Sequence, residues 1–201
     1  KLHIFVELEV KNAIIKWSDK GAIIAIGGEN RKEIVSSKKK KGYCLYFIDA
    51  FSYNTVNVIE NLAHKIVQMK FIDNDNYIFC LLENSYIVGF YINTSGNSIN
   101  LHQMFEERND DVNNNQFKII FTFNPKGKQI SCFDYDEHTE LVVALHKEGD
   151  RMSIVSSSKP ATPQASPKNI NIELSSTLKC IKIIKELNVL LGGDKDGSVK
   201  V

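Results

Sequence analysis

The residues of this 201-residue chain that could do chemistry are five histidines, four cysteines and a few clustered acids. His138 and His146 flank an apolar stretch and have Asp134, Asp136 and Glu137 nearby, a mixture of imidazole and carboxylate of the kind that holds a metal ion. In an extended strand at about 3.3 Å per residue the two histidines face one side but sit at opposite ends, too far apart to share an ion. Both therefore read as surface turn residues. Asp73-Asn74-Asp75-Asn76 has the opening of a calcium loop but lacks the later glycine and glutamate, so it reads as a solvated turn between strands. Cys44, Cys80, Cys132 and Cys180 each lie inside an apolar run with no C-x-x-C pair, which predicts buried, reduced thiols rather than a disulfide framework or a zinc site. No phosphate-binding glycine loop or nucleophile elbow is present, and Gly27-Gly28 lacks the spacing of a dinucleotide fingerprint. The expectation is a chain with no catalytic residue, no metal and no cofactor.

Charge narrows the partners further. The net charge is +1, carried by 22 Lys and only 3 Arg, and arginine is the residue of planar phosphate and base recognition. No specific nucleic acid is expected. Lys38, Lys39, Lys40 and Lys41 form a short basic run that could touch lipid, RNA or an acidic protein, although a solvated charge run is the default reading. Thr162-Pro163 and Ser166-Pro167 are candidate phosphorylation sites, each adding about −2 charge. Asn93-Thr94-Ser95 fits a glycosylation acceptor, relevant only to a secreted chain. No apolar run approaches the roughly 18 residues needed to span a bilayer, and a cytoplasmic protein is expected, with the cytosolic face of an internal membrane as the variant.

The elements that carry these residues are short strands. Apolar runs rich in Ile, Val, Phe and Tyr end at Gly, Asn or Asp clusters, and helix signals are almost absent. Tyr43-Cys44-Leu45-Tyr46-Phe47-Ile48 is apolar on both faces, so this strand must be covered on both sides. Four sets of strands follow one another. The first strands are 13–17, 66–71, 129–133 and 178–184, and the second are 22–28, 77–82, 141–145 and 188–193. The third are 43–49, 85–92, 152–155 and 198–201, and a fourth closes three sets at 55–60, 117–123 and 169–173. Residues 2–10 read as one further strand. Polar insertions at 29–41, 93–116 and 156–168 are too poor in apolar surface to repay ordering and are expected to be flexible loops. Without them the repeat falls to about 40 residues.

The final set is the clearest. Val189-Leu190-Leu191 runs into Gly192-Gly193-Asp194-Lys195, and Asp196-Gly197 then suits a tight hairpin because glycine takes positive φ at no steric cost. This text resembles the inner hairpin of a WD-repeat blade. Ala63-His64 stands where that family has Gly-His, and Ile48-Asp49 where it has Trp-Asp. The resemblance implies an all-β, WD-repeat-like β-propeller region over 1–201 with about four blades, a piece of a longer chain and of a larger ring. It gives structural roles to His64, Asp196 and Gly197, with His64 bonding Glu83 or Asn84 in its own blade's turn. It implies a non-catalytic scaffold whose partners are other proteins. Two narrower likenesses supply the alternative, a membrane-traffic factor. The text from Gln129 onward resembles propellers that follow BEACH domains. Lys16-Trp17-Ser18-Asp19 and Ala25-Ile26-Gly27-Gly28 resemble the ER-membrane exchange factor for a small GTPase.

Overall fold

The computed structural model describes residues 8–30, 42–72, 76–92, 99–100, 119–125, 127–157 and 169–201. Sixteen strands form four sheets among them. In the first sheet β1 (Val10–Trp17), β2 (Ile23–Asn30), β3 (Tyr43–Asp49) and β4 (Thr55–Leu62) run in order, followed by β8 (Ile99–Asn100). The second holds β5 (Ile66–Ile72), β6 (Tyr77–Leu82), β7 (Ile87–Tyr91) and β9 (Ile119–Phe123). The third holds β10 (Ile130–Asp136), β11 (Leu141–His146), β12 (Arg151–Ser156) and β13 (Asn169–Glu173). The fourth holds β14 (Leu178–Ile184), β15 (Val189–Asp194) and β16 (Val199–Lys200), with a short 3₁₀ turn at Lys185–Leu187.

Strands consecutive in sequence are neighbours in every sheet, as the four predicted sets require, with β8 added at the edge of the first sheet and β9 closing the second. The two-faced apolar strand is β3, hydrogen-bonded to β2 and β4 on either edge, with Cys44, Leu45, Phe47 and Ile48 all buried. Turns form where a carboxylate ends a strand and gathers the next backbone N–H groups. Asp49 Oδ1 accepts from Phe51 N at 3.1 Å and Ser52 N at 2.6 Å. Asp136 accepts from His138 N and the Thr139 hydroxyl. Hydrogen bonds to the ionised form, from Ser52 first at Asp49 and from Thr139 first at Asp136, hold both carboxyls below their ordinary value.

Three details differ from the sequence reading. Val10 pairs with Asn30 and so opens β1 rather than closing a separate strand 2–10, whose residues 2–7 lie outside the described part. The 93–116 insertion contains β8, which pairs in parallel with β4 through Ile59↔Ile99 and Glu60↔Asn100. In the last hairpin the turn is organised by Asp194, not Asp196. Asp194 Oδ1 accepts from Asp196 N at 2.9 Å and Ser198 N at 3.0 Å, and Gly197 sits at φ +82°. The Asp196 side chain is exposed.

The chain divides into two compact units, Lys1–Glu83 with Gly89–Ile120, and Asn84–Val88 with Phe121–Val201. The first buries Ala25, Leu45, Phe47 and Ile59 on one face of its β1–β4 sheet. In the second, Val143, Leu145 and Met152 pack on Leu178 and Ile181.

Candidate functional site

Polar side chains converge on one face of the third sheet. Arg151 pairs with Glu173, Ser153 with Asn171 and Val155 with Asn169 across β12 and β13, and Ala144 lies opposite Ser153. Because alternate residues of a strand share a face, His146 joins this set from the end of β11. The other face carries Val143, Leu145 and Met152 and is closed by the apolar cluster with the fourth sheet. The hairpin after His146 is fixed by Gly149 at φ +81°, whose N–H bonds the His146 carbonyl at 2.9 Å. A Cβ on Gly149 would run into the Leu178 carbonyl oxygen.

A buried hydrogen-bond chain crosses the three strands. His146 Nε2 lies 2.8 Å from Ser153 Oγ, and the Ser153 hydroxyl donates to Asn171 Oδ1 at 2.8 Å. The serine's one proton is thereby used, so the histidine donates through Nε2–H and is the Nε2-protonated tautomer when neutral. Its Nδ1 is then an acceptor, and that atom is buried without a hydrogen-bond partner among the described residues. Burial holds the His146 pKa below its ordinary 6.5. Lys128 and Arg151 push it the same way, while Glu148 and Asp150 oppose them.

His146 and Arg151 line an open groove of about 720 Å³ together with the β13 residues Asn171, Ile172 and Glu173. Its other wall runs from Thr122 to Pro125 and continues to Lys128. Arg151 and Glu173 form an ion pair of 3.3 Å in the solvent-facing part. Ser153 and His146 stand at the distance of a nucleophile and its base. Ser153, however, has 0% exposure and its proton is committed to Asn171, so the pair is built to hold three strands together rather than to attack a substrate.

Asp134 is the second polar anchor. It is 3% exposed, and its Oδ2 accepts from Ile183 N on β14 at 2.7 Å while Oδ1 accepts from Tyr135 N. Lys182 Nζ lies 3.6 Å away. The carboxylate thus ties β10 to the free edge of the next sheet's first strand.

Sequence reasoning placed His146 on the surface; the structure buries it to 3% exposure at the end of β11, with its ring against Ser153 of β12. His138 is exposed in the 137–140 turn. Ser153 and Asn171 gave no motif, and their only signal was period-two spacing with Arg151 and Glu173. His64 is exposed and makes no hydrogen bond among the described residues. Asn84 Oδ1 instead accepts from Tyr86 N at 3.4 Å. Cys44 and Cys80 are buried, but Cys180 is exposed and Cys132 half-buried, contrary to four buried thiols. No group of three His, Cys, Asp or Glu side chains is placed to hold a metal ion among the described residues. The calls at Lys38, Lys39, Lys40, Lys41, Thr162 and Ser166 lie outside the described residues.

No protein-family model matches this chain, and no curated protein does. Solved structures do. The β-propeller domain of Myceliophteria thermophila Cps50 (Swd1) aligns with 92% of this chain and 50% of its own, at TM-score 0.59 and 11% identity. Chaetomium thermophilum Sqt1, solved bound to the N-terminus of ribosomal protein L10, aligns with 92% of this chain and 43% of its own, at TM-score 0.56 and 13% identity. The fold is that of a WD40 β-propeller. The WD40 domain of Toxoplasma gondii coronin agrees, with 92% and 43% coverage, TM-score 0.51 and 14% identity. The four meanders are propeller blades in sequence order, and the chain spans half or less of the propellers it matches. Among the described residues no helix is long and apolar enough to cross a membrane.

Proposed function

We propose that the chain works as a non-catalytic protein-interaction platform. The observation that carries this reading is the WD40 propeller fold, whose rigid blades hold variable loops and edges for binding. The closed Ser153–His146–Asn171 chain supports it, since the one nucleophile–base pair in the third sheet is spent on structure. Function belongs to sites rather than folds, so the test is direct. The chain is expressed with a tag in its native cells, cross-linked and purified, and each recovered protein is reconstituted with pure chain by calorimetry. A saturable one-to-one complex is expected. If no recovered protein rebinds in pure form, the platform reading fails. The exchange-factor alternative makes its own prediction, faster nucleotide release from a small GTPase that is lost when 29–41 is deleted.

A further inference from the structure

The groove beside β13 is the part of the second unit where side-chain amides, a neighbouring strand edge and a usable charge coincide. We propose that it binds an extended acidic peptide laid along β13, with an acidic side chain at Lys128. This deepens the platform reading and rests on it.

Three observations fix the chemistry of the occupant. First, β13 ends the strand order of its sheet, and all five of its residues are exposed. An edge of this kind offers main-chain donors and acceptors to an added strand. Second, the groove is lined by side-chain amides, Asn124 on one wall and Asn169 and Asn171 on the other. An amide both donates and accepts, so it can pair with either group of a peptide backbone without reading its sequence. Third, the charges are asymmetric. Arg151 is held by Glu173 at 3.3 Å, whereas no hydrogen bond or ion pair engages the Lys128 ammonium among the described residues. A carboxylate at Lys128 meets an uncommitted ammonium in a groove that the Arg151 guanidinium also lines, while a basic side chain there is repelled.

The apolar contribution comes from Phe123, Pro125 and Ile172, enough to seat one or two small side chains but not a helix face. That favours an extended occupant over an amphipathic helix, which needs a continuous apolar trough.

The experiment uses the full chain and a fluorescein-labelled positional-scanning library of short peptides, read by anisotropy at low salt. Peptides with glutamate at one register should bind best, and lysine at that register should abolish binding. Lys128→Glu should weaken the acidic peptide at least about tenfold. Glu173→Gln should tighten it several-fold by releasing Arg151, and such a gain cannot come from misfolding. The proposal is overturned if acidic and basic peptides bind alike, if Lys128→Glu leaves affinity unchanged, or if single-stranded RNA of equal charge competes equally well. If partners recovered for the platform still bind the Lys128→Glu chain at full affinity while the library shows no acidic preference, the groove proposal fails and the platform reading stands.

Discussion

Ser153→Ala is the sharpest perturbation of the polar chain across β11, β12 and β13. The hydroxyl receives the His146 Nε2–H at 2.8 Å and donates to Asn171 at 2.8 Å. Asn171 is exposed, so water replaces the lost donor there at little cost. His146 is 3% exposed and Nδ1 already lacks a partner, so removing the hydroxyl leaves both ring nitrogens unsatisfied. An orphaned buried donor costs about 1–3 kcal/mol. For a chain of this length each kcal/mol lowers Tm by about 2–4 °C, so a fall of about 2–12 °C is expected. The asymmetry of hydrogen bonding supplies the control, because replacing both partners by apolar groups can be nearly neutral. His146→Leu combined with Ser153→Ala should therefore recover most of the loss. Thermal and urea denaturation at pH 7.5 read both variants. A Ser153→Ala chain as stable as the parent, or a double variant less stable than the single one, refutes the reasoning.

Four further outcomes follow from the same geometry. Asp134→Ala strips the acceptor from the Ile183 and Tyr135 N–H groups and should cost about 2–4 kcal/mol in urea denaturation, with Asp134→Asn losing less because one acceptor oxygen remains. The folded His146 ring resists protonation, so the unfolded chain binds the extra proton; stability should fall as pH drops through 6.5 and level off below the depressed folded value, a slope missing from His146→Gln. Burial pushes the Cys80 thiol far up and leaves Cys180 exposed, so iodoacetamide on the native chain should label Cys180 first and Cys80 only after unfolding, as read by mass spectrometry. His64 is exposed and unbonded, so His64→Ala should change stability by less than about 0.5 kcal/mol in the same denaturation assay.

Local chemistry made most of the strand plan legible. Tyr43–Asp49, Tyr77–Leu82 and Leu178–Ile184 form the strands expected of them, because apolar runs bounded by Gly, Asn and Asp have few other ways to bury their surface. The Asp194–Gly197 turn was legible for a similar reason, since positive φ at Gly197 is a property of the residue itself. Ile99–Asn100 was not, because a two-residue strand in an Asn-rich insertion pairs only through the register that β4 offers. The polar face was hidden for a stronger reason. Alternation along β11 and β12 puts His146 and Ser153 on one side, but Asn171 of β13, which completes the chain, and the segment from Thr122 to Pro125, which shares the groove with His146, lie apart in sequence. Asp134 likewise meets Ile183 across 49 residues of chain. The residues alone determined where strands and turns fall, since those follow from steric freedom and apolar periodicity within a few positions. Only the tertiary structure decided which polar groups lose water and find each other, because desolvation is set by whatever packs above a side chain, and that neighbour comes from elsewhere in the chain.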